Sequence, residues 1–442
     1  MTSIVEPPSP AAAEVSGFVP PVPDCLADLG LPQSMVEEII LKILYFRGDT
    51  SGRVLSNTLG VNFSVIAPVI ESMKRLQLIV AKSSLGMGDI SSTFASTEAA
   101  RTLTRGYLES NSYCGRIPVP LEQYAVGVKM QRNRTDWLSR EMLLGAFGHM
   151  VLTEETLGQL GPAVNAGKSF LIYGQPGNGK TFLAEALFNI ESDPIYVPFA
   201  IECQGQIVQV YDPIYHQRVD CDSTELSAFH QERQFDGRWF KTRRPFIMSG
   251  GELTLDMLDL SFNPASKIYD APFHVKANNG IYLIDDFGRQ KVTPSEVLNR
   301  WIVPMERRID FMNFRTGGKA QVPFECFLVF STNLRPDQLG DEAFLRRIQY
   351  KMFVRSPPAD EFKLIFRRFC AGQGIECDEA VLDAYVDRRY MQSAKPLRRC
   401  QPRDVISHAI DLIRFERLPF VLTAEVLDRA FEMTFVSEEY EE

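Results

Sequence analysis

SFLIYGQPGNGKT, residues 169–181, carries the reading on which the fold turns. An apolar strand, SFLIY, runs into Gly174, Gln175, Pro176, Gly177, Asn178, Gly179, Lys180 and Thr181, and a helical stretch, FLAEALF, opens at Phe182. The spacing GxxxxGK[ST] between a strand and a helix is that of a phosphate-binding loop. Glycines let successive backbone N–H groups curl around phosphate oxygens, and the helix N-terminus adds positive potential. Lys180 then reaches the β- and γ-phosphates, Thr181 ligates magnesium, and Phe182 completes the nucleotide-contacting set. ATP with Mg2+ is the ligand expected.

Two more apolar strands follow downstream. GIYLIDDFG, residues 280–288, ends in two carboxylates. Asp285 is placed to hold a hydrated metal, and Asp286 to orient or deprotonate an attacking water. CFLVFSTNL, residues 326–334, ends in Ser331, Thr332 and Asn333. Ligands of parallel sheets sit beyond the carboxyl ends of the strands, so Asn333 is expected to position the lytic water.

These stretches resemble the AAA+ ATPase family over about residues 136–436, with GQPGNGKT as Walker A, IYLIDDF as Walker B and FSTN as sensor 1. The resemblance implies a three-layer α/β P-loop sandwich (136–352), a C-terminal helical lid (353–436) and assembly into a homo-oligomeric ring of six. DEAFLRRI, residues 341–348, resembles the helix that presents an arginine finger to a neighbouring subunit, with Arg346 or Arg347 as the finger. QPRDV, residues 401–405, resembles sensor 2, with Arg403 as its arginine. The sequence departs from the family in carrying Asp-Asp where Asp-Glu is usual, which shortens the second carboxylate by one methylene. The span from Thr181 to Gly280 is also long, and an insertion is expected over about 200–275. RIDFMNF and KAQVPFE flank a Thr-Gly-Gly turn, a hairpin signal. A hairpin before sensor 1 resembles the branch of MoxR-like chaperones and magnesium chelatase subunits.

Upstream, residues 1–33 hold seven prolines and read as a flexible tail. Helical spacing begins at Ser34. The order of two short helices and two β-rich stretches over 34–110 reads as a winged-helix-like domain, with Pro68 interrupting its second short helix. Phosphate binding favours strong positive charge, and acids and bases nearly balance across this span. Docking to a protein is therefore favoured over DNA binding. Residues 111–135, with CGRIPVPLEQY, read as a linker, and 437–442 as an acidic tail.

At 442 residues the chain has room for roughly three domains of about 150 residues each. Its 45% hydrophobic and 23% charged content sits near the average of soluble globular proteins. A net charge of -9 repels nucleic acid and anionic membranes, so any DNA contact needs a local patch. The apolar stretch from Ile39 to Phe46 is broken by Lys42 and falls short of the roughly 20 residues a bilayer requires. No membrane insertion is expected, and MTSIVEPPSP does not read as a signal peptide; the cytoplasm is the expected address. Eight cysteines form no CxxC pair, and Cys203, His216, Cys221 and His230 match no familiar metal-ligand spacing. Three functions fit these features: an ATP-driven remodeller of a protein client, a DNA-associated ATPase that grips a duplex through the winged helix, and a nucleotide-gated scaffold with little turnover.

Overall fold

The computed structural model describes residues 17–84, 89–133, 137–148, 150–190, 192–219, 233–339 and 345–435. At its centre lie five parallel strands: β1 (Ser169–Tyr173), β2 (Phe246–Ser249), β3 (Ile281–Ile284), β4 (Phe327–Thr332) and β5 (Tyr350–Phe353). They lie side by side in the order β5-β1-β4-β3-β2. All six residues of β4 are buried. A strand covered on both faces needs such an uninterrupted apolar run.

The pleat divides the core in two. Phe170 and Ile172 of β1 face a cluster with Leu160 and Ala163 of helix Glu154–Ala166 and Leu183 of helix Lys180–Ala186. Leu171 faces the other way, toward Trp301 of helix Pro294–Arg307. Thr293 and Glu296 start that helix by a reciprocal cap: the Thr293 side chain accepts from the Glu296 amide, and the Glu296 carboxylate accepts from the Thr293 amide at 2.8 Å. The result is a three-layer α/β sandwich with a P-loop at the carboxyl end of β1. A separate helical unit follows it, with helices Ala359–Gln373, Glu379–Val386, Gln401–Glu416 and Ala424–Thr434 around a core that includes Phe362, Tyr385, Ile406 and Phe431.

The middle of the chain departs from expectation in three ways. Residues 246–249, inside the expected insertion of 200–275, are β2 of the central sheet. A four-residue run is too short for its periodicity to tell an inserted strand from a sheet strand. Trp239–Thr242 pairs with Ile195–Pro198 in a separate two-stranded sheet, while four further strands of that span, Ser261–Asn263, Ile268–Asp270, Gln206–Gln209 and Ala200–Cys203, join Val119–Pro120 in a second, mixed five-stranded sheet. Its last strand belongs to the expected linker, which is therefore a structural part of this sheet, continued by helix Leu121–Met130.

Nor do the prolines of 17–33 leave a loose tail, because Phe18 sets its ring edge-on to Tyr196 and Trp239 and Leu29 is fully buried. One side chain ties these pieces together. Arg238, 2% exposed, pairs with the equally buried Asp236 at 2.8 Å and donates to Leu29 O, Pro118 O and the Gln123 side chain. Its remaining donors thus reach the tail, the linker and the first helix after it. Residues 1–16 lie outside the described residues, as do Val436 and the acidic tail at 437–442.

The N-terminal unit runs helix Gln33–Arg47, strand Thr50–Ser51, helices Gly52–Leu59 and Phe63–Arg75, strands Ile79–Ser84 and Ser92–Ser96, and helix Glu98–Ser110. Its three strands form an antiparallel sheet. Helix Phe63–Arg75 continues through Pro68 rather than breaking there, because Val65, Ile66, Val69 and Ile70 flank it with a fully buried face. Gly60, at φ +79°, touches the inserted segment so closely that a Cβ there would lie 2.6 Å from Gly237 O. Among the described residues no single helix is long and apolar enough to cross a membrane.

Candidate functional site

The 174–181 loop joins the carboxyl end of β1 to helix Lys180–Ala186. Gly177 and Gly179 hold φ of +79° and +81°, a region that L side chains avoid. Gly174 is needed for a second reason: a Cβ would sit 2.4 Å from Val354 O, just beyond β5. The adjacent ends of β1, β4 and β3 bring the loop, Asn333 and the Asp285–Asp286 pair together.

Lys180 is 6% exposed and donates to Asn333 Oδ1 at 2.6 Å and to Gln175 O at 3.1 Å. Asn333 in turn donates from Nδ2 to Asp286 Oδ1 at 2.9 Å. The Thr181 hydroxyl donates to the Asp285 carboxylate, at 2.9 Å to one oxygen and 3.1 Å to the other. Burial pushes the Lys180 ammonium below its usual range; Asp286 and Asp285 oppose that shift, while nearby Arg398 adds to it. Asp286 is exposed and holds a left-handed φ of 48°. Gln290 Nε2 bridges the Asp285 and Asp286 carbonyls at 2.8 and 3.1 Å and thereby fixes this turn.

The donor chemistry fits a magnesium nucleotide. Thr181 and Asp285 offer hard oxygens in mutual contact, beside a loop with Gly177 and Gly179 in the left-handed region. Asn178, 1% exposed, leaves its Oδ1 without a partner while its Nδ2 donates to Ser356 at 3.3 Å. Phe182 is half-exposed on the helix beyond the loop.

The expected arginines are placed differently from one another. Arg346 is exposed, whereas Arg347 Nε donates to Glu306 at 2.7 Å in the same chain. Residues 341–344 of the expected finger helix lie outside the described residues. Arg403 does not join the loop in this structure: its side chain is 65% exposed and pairs with Asp404 at 2.9 Å. The lid instead approaches through the residues just before that helix. Cys400 N donates to Gly177 O at 2.9 Å, and Arg398 donates to Ser356 Oγ at 2.7 Å, the hydroxyl that Asn178 also reaches. Sequence reasoning missed Arg398, Ser356 and Cys400. The available signal was Pro402, which marks a helix start at Gln401 and leaves 396–400 as the turn that faces the loop.

Two further lid arginines hold the strip 150–151. Arg368 donates to Met150 O at 2.9 Å and Arg399 to Val151 O at 3.2 Å. Of the four residues weighed for a metal, Cys221 and His230 lie outside the described residues; His216 is engaged with Lys276 O at 2.9 Å, and burial pushes the Cys203 thiol up to about 12.

Residues 358–433, in the helical unit, match a family described as a domain of unknown function, DUF8689. No curated protein matches the chain. Among solved structures, it is similar to NtrX from Brucella abortus at 13% identity and a TM-score of 0.39, covering 64% of this chain and 57% of that one. The match therefore spans little more than half of the NtrX chain. A single-residue mutant of Thermotoga maritima RuvB is similar at 13% identity and a TM-score of 0.35, over 68% of this chain and 73% of that one. A further structure, the Thermotoga maritima RuvB Holliday junction branch migration motor, is similar at 12% identity and a TM-score of 0.35, over 72% of each chain. The fold assignment rests instead on the strand order and on the loop between β1 and its helix.

Proposed function

We propose that the chain is a magnesium-dependent ATPase of AAA+ architecture that works as a ring of like subunits and remodels a protein client. One observation carries this reading: Lys180, Thr181, Asp285, Asp286 and Asn333 converge at the carboxyl ends of three adjacent parallel strands. When bound with ATP, Mg2+ would be held by Thr181 and Asp285 and would offset the negative charge that builds on the phosphates. Lys180 leaves Asn333 and turns to the phosphates, while Thr181 and Asp285 hold the cation. Asp286 accepts the proton of the attacking water, and Asn333 keeps that carboxylate aimed. Arg346 is the better candidate for reaching a neighbouring subunit, because Glu306 already engages Arg347.

The N-terminal unit is read as winged-helix-like and as the docking point for the client. Within helix Phe63–Arg75, Lys74 is engaged by both Glu71 at 2.8 Å and Asp89 at 3.0 Å, which removes it as a free phosphate contact. That favours a protein partner over a DNA duplex. The Asp at 286, one methylene shorter than Glu, favours slow turnover within this same reading.

The test is phosphate release from Mg-ATP by the purified full chain, with particle mass measured with and without nucleotide. Turnover that rises with assembly is the expected result. A folded chain that neither binds nor hydrolyses ATP ends this reading.

A further inference from the structure

We propose that a cleft at the amino ends of the parallel sheet, at the pole opposite the phosphate loop, binds a small ring-bearing phosphorylated molecule. The cleft has a volume of about 930 Å3, and Lys168, Pro245, Gly280, Phe327 and Tyr350, at the starts of the five strands, all line it. That volume is within the range of about 300–1,000 Å3 typical of small-molecule sites. The loop carrying Lys180 leaves the other end of β1, so the two sites share a sheet but no side chain.

Charge is the leading observation. Arg132, Lys168, Arg243, Arg244 and Arg308 line the cleft, and Glu325 is the only carboxylate among the described lining residues, so five cations less one anion leave four positive charges. This excess stands in a chain whose net charge is -9. Glu325 is shared, meeting Arg132 at 3.3 Å and Arg308 at 3.2 Å through the same oxygen. Arg244 spends its two terminal nitrogens on backbone carbonyls, Asn279 O at 2.8 Å and Gln131 O at 3.0 Å, which orient the fork without neutralising it. The Nε atoms of Arg244 and Arg308 are buried without partners. Burial holds the Arg244 guanidinium down at about 10, opposed by Asp193.

Cations outnumbering their counter-charges in a partly buried cleft are costly, and an oriented guanidinium suits phosphate geometry better than a point charge does. Trp137, Phe188 and Tyr350 line the same cleft and give a planar ring something to stack on. A nucleic-acid strand is disfavoured by the repulsion of the acidic chain as a whole. The chemistry thus points to a compact molecule with a phosphate at one end and a ring at the other.

The test uses the full chain carrying Lys180→Ala, so that the phosphate loop is weakened, and measures binding of AMP, ribose 5-phosphate and adenosine by calorimetry. AMP is expected to bind, ribose 5-phosphate more weakly, and adenosine at least about tenfold more weakly than AMP. Lys168→Gln with Arg243→Gln, both exposed at the rim, is expected to weaken AMP by about tenfold without disturbing the fold. Arg244→Gln is a second variant that probes the inner wall. AMP affinity unchanged by both sets of substitutions overturns the proposal, as does affinity for oligonucleotides that exceeds that for AMP and grows with strand length. No binding of any probe also overturns it.

Discussion

At the carboxyl ends of the central sheet, Lys180, Asp285 and Asp286 each meet a partner from their own chain. At the amino ends, Arg244 and Arg308 keep buried nitrogens unpartnered, and a single carboxylate serves two guanidinium groups. The first arrangement must break internal bonds to take a ligand. Asn333 holds Lys180 through Oδ1 and Asp286 through Nδ2, so drawing the ammonium toward a phosphate breaks the first bond while the second keeps the carboxylate in place, which couples binding to rearrangement. At the second, Arg244 can keep its two carbonyl partners while an anion adds charge to a cleft whose one described carboxylate is already shared.

The contrast is broken most directly at Lys180. Lys180→Ala is expected to reduce ATP turnover to background while leaving the melting temperature close to that of the parent, because the ammonium's internal contacts are a single side-chain bond and a single carbonyl. AMP binding at the amino-end cleft should survive. Loss of both together would mean that the two poles are one site.

Next in size is Asp286→Asn. Removing the proton acceptor is expected to cost about 10²-fold or more in turnover while ATP binding persists, since Lys180, Thr181 and Asp285 are untouched. Single-turnover phosphate release beside equilibrium nucleotide binding checks this split. Equal rates in parent and variant would assign proton transfer elsewhere and would favour a nucleotide-gated scaffold.

These two predictions rest on the part of the molecule most legible in sequence. A phosphate loop is local: strand, glycines, lysine and hydroxyl occupy adjacent positions, so spacing alone encodes its geometry. The β1, β3 and β4 strands were equally readable, because burial on both faces demands unbroken apolar runs. The inserted sheet was not. Its strands are two to four residues long and come from 119–120, 200–209 and 261–270, so its order depends on contacts far apart in the chain. Arg238 shows the same limit: its partners include Asp236, two positions away, and Leu29, 209 positions away, which no local pattern reports. The cationic cleft was hidden for a related reason, since its arginines are scattered singly or in pairs along the chain.

Not every charge away from the phosphate loop lacks compensation, and Asp310 sharpens the comparison. It sits at the base of the hairpin formed by Ile309–Asn313 and Lys319–Pro323, 3% exposed, with His274 at 2.7 Å and Arg300 at 2.7 Å. Burial alone would raise its carboxyl, but these two partners prevail and hold it at about 2 instead of 3.8. A depressed carboxylate stabilises the fold above its unfolded pKa, and that contribution is lost as pH falls through the folded value. The depression corresponds to roughly 2 kcal/mol, lost between about pH 4 and pH 2. Denaturant titration across that range should reveal the step in the parent chain, and Asp310→Asn should flatten it while lowering stability at neutral pH. An unchanged acid profile in the variant would move the titration to another group.

The smallest expected effect separates two lid arginines. Arg398 lies close enough to Lys180 to act on its charge, and it shares Ser356 with Asn178 of the loop. Arg403 faces solvent and pairs with its neighbour Asp404. Exposed pairs of that kind contribute about 0–1 kcal/mol, so Arg403→Gln is expected to leave stability unchanged. Arg398→Gln removes a cation that disfavours the Lys180 ammonium, and with it a bond that ties the lid to the loop. Nucleotide release should therefore speed up by roughly tenfold, with the single-turnover chemical step altered less. If Arg403→Gln instead produces the larger kinetic defect, the lid must swing on binding ATP to bring the first turn of helix Gln401–Glu416 over the phosphates, and the lid position described here is the open one.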